Sequence, residues 1–282
     1  MKSCPGIKRV FGLLAGLLLS FFLFLCPLPV LADVLEIPGT GACEVLLRAV
    51  VDAFNREHPG HQVVVPPSIG TVGAMRLITG DQAVLVRVAQ PLKEKEKGQG
   101  LMYLPFARDL VVFAVGAKVP VRSITTAQLA DVYTGKIATW QELGGPPVPI
   151  RVLLRQPGDS SLLAIQKHLE PFRQITFAPA GKVLYTDPDM LAMLQKYNFS
   201  IGFLTFSSLK GAKTPIHPLA LDGTAPTPET APSRQYKIIE EYALVFKEKR
   251  LNDLARSFLD FIFSKNGQQV MKQYGVTPVE KE

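Results

Sequence analysis

The chain of 282 residues carries 31 Lys and Arg against 24 Asp and Glu, a formal net charge of +7, and 47% of it is hydrophobic. That charge is mild and forms no Lys/Arg block, which argues against a nucleic-acid partner, while the apolar fraction suffices for a packed core. Three cysteines are too few for a disulfide framework.

Lys2, Lys8 and Arg9 precede an apolar run from Val10 to Leu25 and then PLPVLAD, a pattern that reads as a secretory signal cut between Ala32 and Asp33. Two other readings stand beside it. Cys26 is a lipid-anchor candidate, although Leu25 stands where a small residue is normally required, and the run, about 16 residues, is short for an uncleaved span. Removing residues 1–32 leaves 250 and lowers the net charge to +4, because the segment holds three basic and no acidic residues. Cys4 and Cys26 leave with it, so Cys43 is left alone. The expected location is periplasmic or otherwise extracytoplasmic, with a soluble mature chain.

Val34 to Ile37 reads as a strand, PGTGA as a turn, and Leu46, Leu47, Val50, Val51 and Phe54 as one face of a helix. Gln62 to Val65 is a second strand, PPSIGTVGA a turn, and Ala74 to Ile78 a helix stopped by Gly80. Ala83 to Val88 is a third strand, followed by the solvated charge run KEKEKGQG. Two apolar strands, Leu101 to Phe106 and Leu110 to Val115, come next. Ser123 or Thr125 caps a helix that ends at Gly135, and Trp140 supplies an apolar anchor. Ile150 to Leu154 is a strand leading through RQPGDSS into a helix bearing Leu162, Leu163, Ile165 and Leu169. Asp187 caps a helix with Pro188 at its first position, and SIGFLTF at 200–206 is another strand. Residues 221–235 form a Pro/Thr-rich connection before a strand at Tyr242 to Phe246, a helix with Leu254, Phe258, Phe261 and Ile262 on one face, and a short helix near Gln268 to Tyr274. Alternating strands and helices predict α/β layers with mainly parallel sheets. Two lobes are expected: 33–116 in the first, 117–206 in the second, and 207–282 returning to the first.

Three turns share one design: GTGA at 39–42, SIGTVG at 68–73 and PGDSS at 157–161. Each follows a strand, offers glycine and a hydroxyl, and opens a helix whose free N–H groups and dipole suit an anion. The candidate ligand-binding residues are therefore Gly41, Ala42, Cys43, Gly70, Thr71, Gly158, Asp159, Ser160 and Ser161, joined by Arg155 and Arg87 at strand ends where doubly wound sheets bind ligands. Enzyme constellations are absent: there is no G-x-S-x-G elbow, no H-E-x-x-H, and His58 with His61 lacks a third metal ligand. No cofactor, metal or catalytic residue is expected.

On these turns, together with VAQPL at 88–92, the stretch from ITTAQLADVYTGKIATWQELGG into RQPGDSS at 124–161, and SIGFLTF, the chain resembles the phosphate-binding protein of the phosphate ABC importer, a branch of the type II periplasmic-binding-protein fold. The resemblance implies two lobes around a ligand cleft, capture of phosphate or a related oxyanion as a monomer, and delivery to a membrane permease. A ligand-sensing or partner-binding domain uncoupled from transport is the alternative. Four positions depart from the family pattern: Cys43 and Glu44 replace a threonine and an aromatic residue, Ala89 falls where an aspartate accepts the ligand's proton, and Asp159 replaces a serine. One compensation is that Asp159 takes over that proton while Arg87 offsets its charge.

Overall fold

The computed structural model describes residues 34–228 and 235–281; the expected signal segment and residues 229–234 of the Pro/Thr-rich connection lie outside the described residues. The chain opens with β1 (Val34–Glu36), α1 (Glu44–Glu57), β2 (Gln62–Val64), α2 (Gly70–Thr79) and β3 (Leu85–Val88). The apolar face of α1 is buried as its spacing requires, with Leu46, Leu47, Val50 and Phe54 fully enclosed. The charge run contributes one exposed turn, α3 (Glu94–Lys97). The two strands expected over 101–115 are one, β4 (Met102–Val115), because Ala107, Arg108 and Asp109 continue the ladder instead of turning.

The middle of the chain holds β5 (Ser123–Ile124), α4 (Thr126–Thr134), β6 (Arg151–Arg155), α5 (Ser160–His168), β7 (Lys182–Leu184), α6 (Asp187–Lys196) and β8 (Ser200–Thr205). Thr125 caps α4 in a reciprocal box with Gln128, and Gly135 ends it in the left-handed conformation. The cap of α6 is Thr186, one residue earlier than expected; Asp187 is the first helical residue and is fully buried. Then come β9 (His217–Pro218), β10 (Ala220–Leu221), β11 (Ile239–Phe246), α7 (Asp253–Phe263), α8 (Lys265–Gln273) and β12 (Thr277–Pro278). Among the described residues no helix is long and apolar enough to cross a membrane.

One sheet organises the fold in the order β3-β11-β4-β8-β6-β7. The expectation of mainly parallel pairing is corrected here. Only β8, β6 and β7 run parallel in this sheet, whereas β3, β11, β4 and β8 alternate in direction. The reason is that β4 and β11 carry the chain out of one core and back again, so they must oppose each other.

Two separate cores lie along that sheet. The first gathers Leu35 through Phe106 and then Tyr242 through Val276, and a smaller cluster with Ala74, Ile78 and Val245 joins it on β3 and β11. The second gathers Leu110 through Ile238. Residues 207–228 and 235–239 therefore pack on the second core, through Leu219, Leu221, Tyr236 and Ile238, and the return comes within β11 instead of at residue 207. Between the cores, Asp109 of β4 and Glu240 of β11 stand opposite each other in register, and both are buried.

Candidate functional site

The three turns reach one cleft of about 780 Å³, lined by Gly41, Gly70, Thr71, Arg155, Gly158, Asp159 and Ser160 among the expected residues. Gly39 locks the first turn against β3: a Cβ there would lie 1.9 Å from the Arg87 carbonyl oxygen, which accepts the Thr40 N–H at 3.1 Å. Gly158 adopts φ of +81°, the left-handed step that lets the chain turn from β6 into α5. Across the cleft, Gln90 Nε2 donates to the Gly158 carbonyl at 3.4 Å. A larger cavity of about 950 Å³ lies on the second core beside Val152, Pro179 and Tyr197, away from all three turns. Volume alone would select it; the convergence of helix starts selects the cleft.

Arg155 does not present a free fork. Its Nε and Nη2 donate to Asp159 Oδ2 at 3.0 and 2.5 Å, its Nη1 donates to Asp187 Oδ1 at 2.7 Å, and Nη2 also reaches the Tyr185 carbonyl at 3.3 Å. All three side chains are at least nine-tenths buried. Burial disfavours the Arg155 charge, but Asp187 and Asp159 outweigh it and hold its pKa above the usual value. Burial pushes the Asp159 carboxyl up against the pull of Arg155. The remaining oxygen of Asp159 accepts the Leu162 N–H at 3.2 Å and so caps α5. An acid in this turn is thus a helix cap and a counter-charge at once.

Arg87 is corrected more sharply. It is completely buried in the first core, where Nε donates to the Thr40 carbonyl at 2.8 Å, Nη2 to the Pro66 carbonyl at 2.9 Å and Nη1 to the Ile37 carbonyl, with Glu44 at 3.5 Å. It staples three loop carbonyls and faces no cleft, so it offsets no charge on Asp159. Cys43 is likewise enclosed, and burial raises its thiol to about 12. Ala42 and Ser161 are fully buried and stand behind the cleft lining.

Sequence reasoning missed the network beneath the cleft. Asp187 Oδ2 accepts the Thr205 N–H at 2.9 Å and the hydroxyls of Thr205 and Ser208 at 2.7 and 3.0 Å, tying α6 to the end of β8. Asp109 accepts the Ser207 N–H at 3.2 Å and the Tyr242 hydroxyl at 3.1 Å, yet burial still raises its carboxyl to about 7. Glu240 is 3% exposed, and neither carboxyl oxygen has a hydrogen-bond partner; the hydroxyls of Ser160, Ser161 and Ser207 are also buried without one.

Comparison with known proteins agrees with this architecture. A Borreliella burgdorferi protein named phosphate-binding protein PstS is 23% identical over 248 residues, covering 86% of this chain and 88% of that protein. The Bacillus subtilis protein of the same name is 26% identical over 253 residues, covering 87% and 80%. A crystal structure from Clostridium perfringens, assigned to phosphate ABC transport as a substrate-binding protein and holding bound phosphate, superimposes with a TM-score of 0.76 at 25% identity, covering 88% of this chain and all of that one. An ABC-type phosphate transport receptor from Vibrio cholerae shares the fold with a TM-score of 0.64 at 19% identity. The PBP superfamily domain matches residues 30–266. A match of that length, on a sheet that reverses direction where two cores meet, makes this chain a member of the PBP superfamily.

Proposed function

We propose that the protein is an extracytoplasmic solute-binding protein that captures phosphate or a related oxyanion in the cleft between its two lobes and presents it to an ABC permease. One observation carries the reading: the starts of α2 and α5 and the GTGA turn meet in a single cleft, with the buried Ser160 and Ser161 hydroxyls unpartnered at the α5 end. Helix N-termini attract negative charge through free N–H groups and the dipole, without a mobile cation. The PstS names of the relatives and the phosphate bound in the Clostridium perfringens structure support the choice of anion.

The binding set is the N–H groups at these turns with the hydroxyls of Thr71 and Ser160, which line the cleft, while Ser161 stands buried behind them. Arg155 acts as a positive wall whose fork is already held by Asp159, and Arg87 is left out of the set. The lobes follow the two cores, so the hinge lies where β4 and β11 pass between them, near Asp109 and Glu240. Closure removes water and strengthens the hydrogen bonds made to the anion. No chemistry is performed on the ligand. The test is calorimetric titration of the mature chain with inorganic phosphate between about pH 6 and pH 9, the range in which phosphate itself titrates. Saturable heat at one site per chain is expected, and no heat at any of these pH values refutes the reading.

A further inference from the structure

Seven large hydrophobic side chains are exposed among the described residues, and four of them, Ile69, Val72, Leu163 and Tyr185, line the same cleft. Val72 is 71% exposed and Tyr185 63%, so neither is the edge of a core residue. Exposed apolar side chains scattered singly need no cause, but a group of them in one concavity marks a surface that something covers. They come from both sides of the cleft. Ile69 and Val72 stand at the start of α2, whose Ala74 and Ile78 belong to the cluster joined to the first core. Leu163 lies in the first turn of α5, whose Leu162 and Ile165 belong to the second core. Tyr185 precedes α6, and its carbonyl accepts from Arg155 Nη2 at 3.3 Å, which holds the backbone that carries the ring.

At α2 and α5 alike, the helix start that offers N–H groups to an anion carries an exposed apolar side chain within its first turn. Donors and apolar surface side by side suit a ligand with a charged head and an apolar body. Inorganic phosphate is all head, and it has no apolar surface for these four side chains to cover. The cleft volume of about 780 Å³ falls within the range of roughly 300–1,000 Å³ found for pockets that hold organic molecules. The fork of Arg155 is already held by Asp159 and Asp187, so charge on that guanidinium adds little for a bare anion, and apolar contact has more of the affinity to supply.

We propose that the cleft takes a phosphate monoester: its oxyanion sits at the helix starts, and a small apolar or aromatic ester group is covered by Ile69, Val72, Leu163 and Tyr185. This rests on the oxyanion-capture reading above and names the ligand class of the same site. A monoester keeps acceptor oxygens on phosphorus for the same donors, as phosphoserine does, and adds the surface that the apolar wall needs.

Calorimetric titration of the mature chain with phenyl phosphate and, separately, with inorganic phosphate decides it. Phenyl phosphate should bind at least about tenfold more tightly and with a more negative heat-capacity change, the marker of apolar burial. In the double variant Val72→Ser, Tyr185→Ser that preference should shrink to less than about threefold; both side chains are exposed, so the fold should be kept, and a melting curve checks it. Leu163→Ser, on the second core's side, is an independent variant in which the preference should fall as well. Phenyl phosphate bound no more tightly than phosphate overturns the inference and leaves oxyanion capture standing, as it would if the four side chains only packed on one another when the lobes close. A preference undiminished in the folded variants overturns it too. No binding of either ligand by the parent protein overturns both.

Discussion

The substitution Asp159→Ser separates two roles that the sequence alone joins. Asp159 Oδ2 occupies both Nε and Nη2 of Arg155, while Oδ1 caps Leu162. Serine is an equally good N-cap, so the cap survives, and Arg155 keeps Asp187, so its charge is not stranded. The stability cost is therefore below the 3–5 kcal/mol of a broken buried pair, about 2 kcal/mol. For a chain of this size that is a fall in melting temperature of roughly 4–8 °C. Binding should move the other way. Two guanidinium donors become available to the ligand, and hydrogen bonds to charged groups contribute about 1.5–3 kcal/mol each. Loss of a buried negative charge adds to this gain. Part is lost to rearrangement, so inorganic phosphate should bind about 10- to 100-fold tighter by calorimetry, while differential scanning calorimetry shows the lower melting temperature. Weaker phosphate binding would refute the reasoning and show that Asp159 accepts the ligand's proton.

Other outcomes follow from the same geometry. Arg87→Met strands three carbonyls in the first core, while Glu44 keeps Arg48, and should cost about 3 kcal/mol in chemical denaturation, with phosphate affinity of the folded protein changed by less than about threefold; a selective loss of binding would return Arg87 to the site. Asp109, raised from 3.8 to about 7 by burial, keeps its proton in the folded chain over a range where the unfolded chain has lost it. The folded state thus binds more protons, stability falls as pH rises from about 4 to about 7, and Asp109→Asn should flatten that fall in urea titrations at stepped pH; an unaltered slope counts against it. Cys43, enclosed and with its thiol at about 12, should resist iodoacetamide in the native protein and react in denaturant, as read by mass spectrometry; labelling of the native chain would contradict the burial.

Elements whose signal is local were legible. The apolar face of α1, the Thr125–Gln128 cap and the glycine at 158 each follow from a few neighbouring residues, and all three turns open helices close to where the pattern places them. What was not legible depends on partners far along the chain. Asp187 looks like a helix cap beside Pro188, yet its partners are Arg155, 32 residues earlier, and Thr205, 18 residues later. Arg87 ends a strand just as a ligand-binding arginine would, and only the fold brings the carbonyls of Ile37, Thr40 and Pro66 around it. The pair Glu240–Glu241 did carry a signal, since two adjacent acids in a strand bounded by Ile238 and Leu244 cannot both face solvent. Direction within the sheet was misread because apolar runs report burial, and burial does not distinguish parallel from antiparallel neighbours.

These departures share an electrostatic logic. A site with a free arginine would hold a bare anion by charge, and that attraction would be greatest for the most highly charged ligand. Here Arg155 is matched by Asp159 and Asp187 before any ligand arrives, so no guanidinium under α5 is left free for a bare anion. On the proposed reading, an anion entering the cleft is held by hydrogen-bond donors and helix dipoles, and a large negative charge is disfavoured by the carboxylates behind them. The attraction that brings it there lies farther out, at Arg76, Lys93 and Lys95, which line the cleft together with Thr71 and Gln90. Long-range charge at the rim steers encounter and is screened by salt; donors beneath α5 act at contact, in a lower dielectric, and are not. On that reading steering and selection fall to different residues, and exchanging an acid within RQPGDSS should alter the second without touching the first.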